Sequence, residues 1–346
     1  MGFKKYVIRR ILTTFITLII TLTFLYFLFR VPAYLTGKSP AELYAFQQLQ
    51  GMTGVSEELK NEIVKELRKS MGIPPEGATI TERAQYFFMY LRSMLTFNFG
   101  YSSSVPPFKV ASRFLSTLPY TLLLMGPTVF LQILLGIWLG MEAGKDPGSL
   151  KDNAITLAGL SLYSLPSYWL GPLLILIFTG LLGLYPAKRG PTLPNLYTSN
   201  AFYMIVGHLG MMLLPIVTLL LVTIGSWIYL MRNSLIDVIT EDYIFTAKAK
   251  GLDERTILYR HAFRNALLPV WTNIVLNVAT LWTGVIITER IFGLPGVGSM
   301  LITAISSPID YATAQMFFYF ITLSILIANF IADISYALLD PRVKYD

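Results

Sequence analysis

The chain contains no cysteine and only two histidines in 346 residues. Without cysteine there is no disulfide framework, no thiolate metal site and no cysteine nucleophile. His208 and His261 have no metal-ligand partner at useful spacing, and each reads as a polar residue at a helix end. Charge is also scarce. Asp, Glu, Lys and Arg make up 14% of the chain against 54% hydrophobic residues, where a soluble domain carries about 25% charged residues. With a mean hydropathy of +0.58, lipid is the solvent implied for most of the molecule.

Other absences narrow the function. The formal charge of +7 is scattered between apolar blocks and forms no stripe with interleaved aromatics, so a nucleic-acid partner is not implied. No G-x-x-x-x-G-K-[S/T] loop occurs: Gly37-Lys38-Ser39 has Pro32 where the earlier glycine belongs, and any nucleotide energy must come from a partner. The apolar stretches hold almost no ionisable groups, which argues against an ion-coupled carrier or proton pump. Glu289, Arg290 and Asp333 lie toward helix ends and read as interfacial anchors. A serine nucleophile at Ser226 has no base, because His208 would lie roughly 27 Å away along the same helix. No cofactor or metal is expected.

Six segments are apolar for the length that crosses a hydrocarbon core: 11–29, 118–141, 154–184, 209–231, 270–288 and 316–339. Their apolar character is continuous, which favours helices over barrel strands of alternating pattern. The first follows Lys4, Lys5, Arg9 and Arg10 and resembles a secretory signal. It is nevertheless long enough to span, and no small-residue cleavage site precedes Arg30 and Pro32, so a retained first helix is expected. The fold class expected is an all-α membrane protein with about six transmembrane helices.

With the N-terminus in the cytoplasm, inner loops carry the basic excess: Lys145, Lys151, Arg232, Lys248, Lys250, Arg255, Arg260, Arg264, Arg342 and Lys344 join the N-terminal four. The short outer loops hold Lys188, Arg189 and Arg290. That asymmetry places both termini inside. The long polar stretch between the first two spans is then extracytoplasmic. Within it Ser56 can cap a helix carrying Leu59, Ile63, Leu67 and Met71 and stopped by Pro74-Pro75. A second helix, Glu82 to Leu95, is rich in aromatics that face either the outer leaflet or the membrane domain.

The loop between the fourth and fifth spans is patterned. Tyr243 to Lys250 suits a short helix in which Ala247 and Ala249 allow close approach; Gly251 fits a left-handed terminus, and Asp253 can cap the next helix. There, Ile257, Leu258, His261 and Ala262 share one face and Arg260 and Arg264 another. Two readings stand side by side on this pattern: a two-faced plug for a partner's groove, or a basic loop that only fixes topology.

The runs Thr246-Ala-Lys-Ala-Lys-Gly-Leu252 and Arg260-His-Ala-Phe-Arg-Asn-Ala-Leu-Leu-Pro269 resemble the cytoplasmic coupling loop, or EAA loop, of ABC importer permeases, in the longer form of the dipeptide/oligopeptide/nickel permease family. Similarity extends to Tyr6–Arg10, Phe97–Ser102, Leu160–Leu170, the stretch Glu289-Arg-Ile-Phe-Gly-Leu-Pro-Gly-Val-Gly298, and Ala337-Leu-Leu-Asp-Pro-Arg342, so nearly the whole chain is covered. The general EAA pattern has an acidic residue where this chain has Phe245.

The resemblance implies a type I ABC importer permease-like fold: tail and first helix (1–32), extracytoplasmic insert (33–116), and a five-helix core (117–346) with a coupling loop at 232–268. It implies a second permease subunit, two cytoplasmic ABC ATPases that carry out ATP hydrolysis, and an extracytoplasmic solute-binding protein, at the cell membrane. Coupling to the ATPases would fall to Ala247, Lys248, Ala249, Lys250, Gly251, Leu252, Arg260, His261 and Arg264. Peptides lead as cargo, with oligosaccharides or chelated nickel as alternatives within the family. A channel or scaffold working without nucleotide is the rival class. Glycine and proline inside the spans, including Gly126-Pro127, Pro166, Gly171-Pro172 and Pro215, permit bends that either shape the pathway or serve ordinary packing.

Overall fold

The computed structural model describes residues 3–35, 56, 58, 61, 65, 73–74, 77–102, 108–184, 201–306 and 309–339, with the backbone alone at 3, 30–35, 201–209, 272, 276–284 and 336–339. Every named element among them is helical. Of the helix expected after Ser56, Leu59, Ile63, Leu67 and Met71 lie outside the described residues, whereas Glu58, Asn61 and Lys65 are helical. Gly37-Lys38-Ser39, Lys188, Arg189, the side chain of His208 and the terminal Arg342 and Lys344 also lie outside them.

Helix α1 (Phe3–Leu35) contains the first span. Its threonines Thr13, Thr17, Thr21 and Thr23 donate back to carbonyls three or four residues earlier, which pairs these four hydroxyls on an apolar helix. Helix α2 (Ile80–Leu95) opens with a capping box: Thr79 accepts from the Glu82 N–H, and the Glu82 carboxylate accepts from the Thr79 N–H. The Thr79 N–H foremost, and then the Thr79 hydroxyl, both donating to the carboxylate, hold the Glu82 carboxyl below the usual carboxylate range.

Helix α3 (Val110–Gly144) is 35 residues long, about 52 Å, and outruns a hydrocarbon core of about 30 Å. The third apolar segment, expected as one span in which Pro166 permits a bend, is broken into two helices. These are α4 (Leu150–Tyr163) and α5 (Ser167–Ile175, continued by a π turn Leu176–Leu181), which meet at 93°. The break falls at Leu165-Pro166, where a proline disfavours the helical conformation of the residue before it and supplies no N–H. Pro172, Pro215 and Pro269 sit inside helices that continue past them.

Helix α6 (Ala201–Ile239) leads to the short α7 (Asp242–Ala249). The fifth span was expected to begin near residue 270, after a separate loop helix. Instead, a lead-in Glu254–Thr256 and a π turn Ile257–Ala262 run without interruption into α8 (Phe263–Phe292). Helices α9 (Val297–Ile305) and α10 (Tyr311–Leu339) complete the chain. Four single helices are long and apolar enough to cross a membrane, and two bent pairs, α4 with α5 and Val285–Phe292 with α9, bring the number to six among the described residues. The protein is an all-α, multi-pass membrane protein.

The chain forms two compact units, Met1–Pro119 with Ser299–Phe330, and Tyr120–Gly298 with Ile331–Tyr345. In the first, Asp310 caps α10 through the Thr313 N–H (3.2 Å) and also accepts from the hydroxyls of Thr313 (2.6 Å) and Ser102 (2.5 Å). Phe99 packs on Tyr319 and Phe114 on Phe320. In the second, one core gathers Leu124, Met212, Leu219 and Phe292, and another gathers Met231, Leu235, Ile244, Ala262 and Val270.

Candidate coupling site

The second core is the floor of the site. Helix α7 buries Ile244 and Ala247, three residues apart and so on one face, and leaves Phe245, Thr246, Lys248 and Ala249 exposed. Ala247 therefore spends its small side chain on close approach to its own core. Phe245 stands out at 76% exposure, an aromatic ring turned to solvent on a helix otherwise held firmly in place.

After α7 the chain turns at Gly251, whose φ of +74° is the left-handed conformation the sequence predicted. A Cβ there would meet nothing within 4 Å, so backbone handedness alone calls for glycine. The Gly251 N–H donates to the Lys248 carbonyl at 2.9 Å, which closes the helix end. Asp253 then caps the next helix by accepting from the Thr256 N–H at 2.9 Å. The Thr256 hydroxyl, followed by that N–H, holds the Asp253 carboxyl below its ordinary range.

Downstream, Ala262, Ala266 and Val270 are all fully buried and four residues apart, while the preceding buried position is Ile257, five residues before Ala262. An uninterrupted α-helix would bring Leu258 under that stripe. The π turn Ile257–Ala262 supplies the extra residue and brings Ile257 under it instead. Leu258 and His261 are half-buried beside them, and Tyr259, Arg260 and Arg264 are exposed. Asn265 donates to the Tyr243 hydroxyl at 2.8 Å, and Ser234 donates to the Ala266 carbonyl at 2.7 Å. Helices α6, α7 and α8 are thereby stitched together.

Of the positions singled out from sequence, Lys248, Ala249, Lys250, Gly251, Leu252, Arg260 and Arg264 lie on the exposed side, His261 at its edge and Ala247 beneath it. Phe245 entered the sequence reading only as a departure from a pattern. Its exposure follows from lying between the buried Ile244 and Ala247, which no local composition signals.

A second feature was missed altogether. Asp152, near the start of α4 and fully buried, takes both forks of the Arg232 guanidinium from α6, at 2.5 and 2.6 Å, and also accepts from the Gly148 N–H and the Thr156 hydroxyl. Beside it Glu142 pairs with Lys145 and Lys151. Glycines bring the helices close enough for this. A Cβ on Gly140 would stand 2.6 Å from that of Met231, one on Gly144 would stand 2.9 Å from the Arg232 carbonyl, and Gly159 of α4 lies against Gly225 of α6. Helix α6, which carries α7 at its end, is held by both α3 and α4.

At the far end of α8 the sequence expectation is corrected. Glu289 is no interfacial anchor: it is fully buried, and its carboxylate accepts from the Thr121 hydroxyl at 2.6 Å. The Thr121 oxygen in turn accepts from the Val297 N–H at 2.9 Å. Gly293, at φ +65°, ends α8, and the Leu294 N–H returns to the Glu289 carbonyl at 2.8 Å. Gly296 lies directly against the Glu289 carboxylate, and a Cβ on Gly298 would stand 2.5 Å from the Ile286 Cα. The Gly-Leu-Pro-Gly-Val-Gly stretch is thus a turn whose Gly296-Val-Gly298 half is buried around a carboxylate. Arg290 is exposed and Asp333 half-buried.

Up to six apolar spans among the described residues, with an exposed helix–turn–helix elbow between α6 and α8, define a multi-pass membrane component. The chain belongs to the family of binding-protein-dependent transport system inner membrane components, whose family model matches residues 132–345. It is 31% identical over 259 residues to an oligopeptide transport system permease of Bacillus subtilis, covering 75% of this chain and 80% of that one. It is 32% identical over 276 residues to a di/tripeptide transport system permease of Pseudomonas aeruginosa, with 75% and 81% covered. A dipeptide transport system permease of Bacillus subtilis is 35% identical over 261 residues, with 75% and 79% covered.

Proposed function

We propose that the chain is the peptide-conducting permease subunit of an ATP-binding-cassette importer, paired with a second permease subunit, driven by two cytoplasmic ATPases and supplied by an extracytoplasmic binding protein. Family membership supports the class. The peptide names of the relatives support the cargo, in preference to an oligosaccharide or a metal chelate. The excess of Lys and Arg in alternate short loops supports N- and C-termini in the cytoplasm, with 33–116 on the opposite side.

The observation that carries the coupling role is the contrast across α7 and its C-cap: Ile244 and Ala247 are locked into the core, while Phe245, Lys248 and the capping Lys250 are exposed and able to engage a groove. In the free chain such an aromatic is a docking anchor ringed by charge. When ATP draws the two ATPases together, a push on α7 passes to α6 through the core and on to α3 and α4 through Arg232–Asp152 and the glycine contacts. The ATPases bias the transition only by touching the two states of this body differently. Lys248, Ala249, Lys250, Gly251, Leu252, Arg260, His261 and Arg264 border the docking face, and Ala247 sets its height.

The test is reconstitution of the whole assembly in vesicles. Uptake of a labelled dipeptide or oligopeptide should require ATP and the binding protein. Peptide leaking down its gradient with neither ATPase nor nucleotide would favour a passive channel and overturn the assignment.

A further inference from the structure

Helix α2 has three faces. Tyr90 and Met94 are buried in the first unit, with Tyr86 and Phe87 half-buried alongside. At about 100° per residue, Ile80, Phe88 and Leu95 fall on the adjoining strip, and all three are exposed. Thr81, Glu82, Gln85 and Arg92 fill the remaining arc, broken only by Met89. A helix standing in water on its free side has no use for an apolar strip between its packed and polar faces.

Tyr90 fixes the depth at which this helix sits. Its hydroxyl donates to the Leu22 carbonyl at 3.2 Å and accepts from the Gln315 amide at 2.7 Å. Both partners lie inside stretches that qualify as membrane spans, Lys4–Phe29 and Tyr311–Ser335. Measured along the helices, Leu22 is about 10 Å from Phe29 and Gln315 about 6 Å from Tyr311. The Tyr26 ring also packs on Phe87 and Tyr90, each at 5.1 Å between centroids. The Tyr90 hydroxyl has both a donor and an acceptor partner within the protein and needs no water, as a polar group at this depth requires. Depths of about 5–10 Å are those at which amphipathic helices rest in a leaflet.

We propose that α2 is embedded in the bilayer, with the Ile80, Phe88 and Leu95 strip in contact with phospholipid acyl chains and the Thr81, Glu82, Gln85 and Arg92 face toward headgroups and water. The polar segment between the first two spans is then anchored in the leaflet through this helix instead of standing wholly in water. The proposal depends on the chain being a membrane protein, whichever way it is oriented, and not on its cargo or its ATPases.

The native chain has no cysteine, so single cysteines at Phe88, Leu95 and Gln85, with Phe24 of α1 as a lipid-facing control, can each carry an environment-sensitive fluorophore in the reconstituted assembly. Phe88→Cys and Leu95→Cys should be quenched by phospholipids brominated in the acyl chains as strongly as Phe24→Cys, and be shielded from aqueous iodide. Gln85→Cys should show the reverse. Because these side chains are exposed, none of the substitutions removes core packing. The unsubstituted protein gives a second reading: a phospholipid with a photoactivatable acyl chain should leave adducts within residues 80–95 as well as on α1. Iodide quenching at 88 and 95 equal to that at 85, adducts on α1 alone, or shielding that appears only when an extracytoplasmic binding protein is added would each overturn the proposal, the last by assigning the strip to a protein.

Discussion

Two glycine turns bracket α8, and they differ in what surrounds the glycines. At the start of the helical run, Gly251 has open space where a side chain would be, and the surface about it carries Phe245, Lys248 and Lys250. At its end, Gly296 and Gly298 are pressed against the Glu289 carboxylate and the Ile286 backbone. The first turn is fixed by backbone conformation alone and leaves its surface free for another molecule. The second adds packing to a left-handed Gly293, and its Gly296-Val-Gly298 half is buried. In the second unit the exposed turn is therefore set by φ angles and caps, and the turn at the other end by buried contacts as well.

The largest effect on this comparison is expected where the coupling end is tied to the rest of the unit. Arg232→Ala leaves the Asp152 carboxylate buried without its guanidinium, at a cost of about 3 kcal/mol. Thermal unfolding of the purified assembly should show a marked fall in Tm. Asp152→Ala combined with Arg232→Ala should cost less than the two single losses added together. Additive losses would mean that the pair does not act as a unit.

Next in size is the buried turn. Gly296→Ala pushes a methyl into the Glu289 carboxylate and should destabilise by about 1–3 kcal/mol, read again as a lower Tm, whereas Glu289→Gln keeps an acceptor for Thr121 and should be milder. A Gly296→Ala protein as stable as the parent would remove the contrast with Gly251.

At the exposed turn the expected penalty is conformational, about 1–2 kcal/mol for a β-branched residue held at positive φ. Gly251→Val should leave the assembly intact but abolish ATP-dependent uptake, and Gly251→Asn, which tolerates that conformation, should retain most of it. Normal uptake by an assembled Gly251→Val protein would count against a stiff elbow.

The smallest effect is on pH. The Asp253 carboxyl is lowered in the folded chain, so its capping bond contributes above the pKa of the unfolded chain, about 4, and is lost as pH falls through the lower folded value. Hydrogen exchange at the Thr256 amide should quicken only in that acid range, and Asp253→Ala should abolish the dependence.

The coupling end was the more legible of the two from sequence, for a physical reason. Caps and left-handed glycines are local: Asp253, Gly251 and the Ile257/Ala262 face announce themselves within a few residues. The π turn that lets a five-residue spacing serve one face leaves no such mark, and neither does the exposure of Phe245. Pro166 was legible as a place to bend, but the size of the bend was not. Glu289 was misread because a charged residue near a helix end looks interfacial until Thr121, distant in the chain, is seen to bind it. The Asp152–Arg232 pair joins residues on different helices and was equally beyond local pattern.

The central claim is that α7 is a stiff handle on which an ATPase pushes, and one cross-link tests it most directly. A photoactivatable cross-linker on Phe245→Cys, in a chain with no other cysteine, should join the permease to its ATPase and arrest uptake after illumination. A probe at 245 that stays open to water throughout ATP turnover, joins no ATPase and leaves uptake running would contradict it.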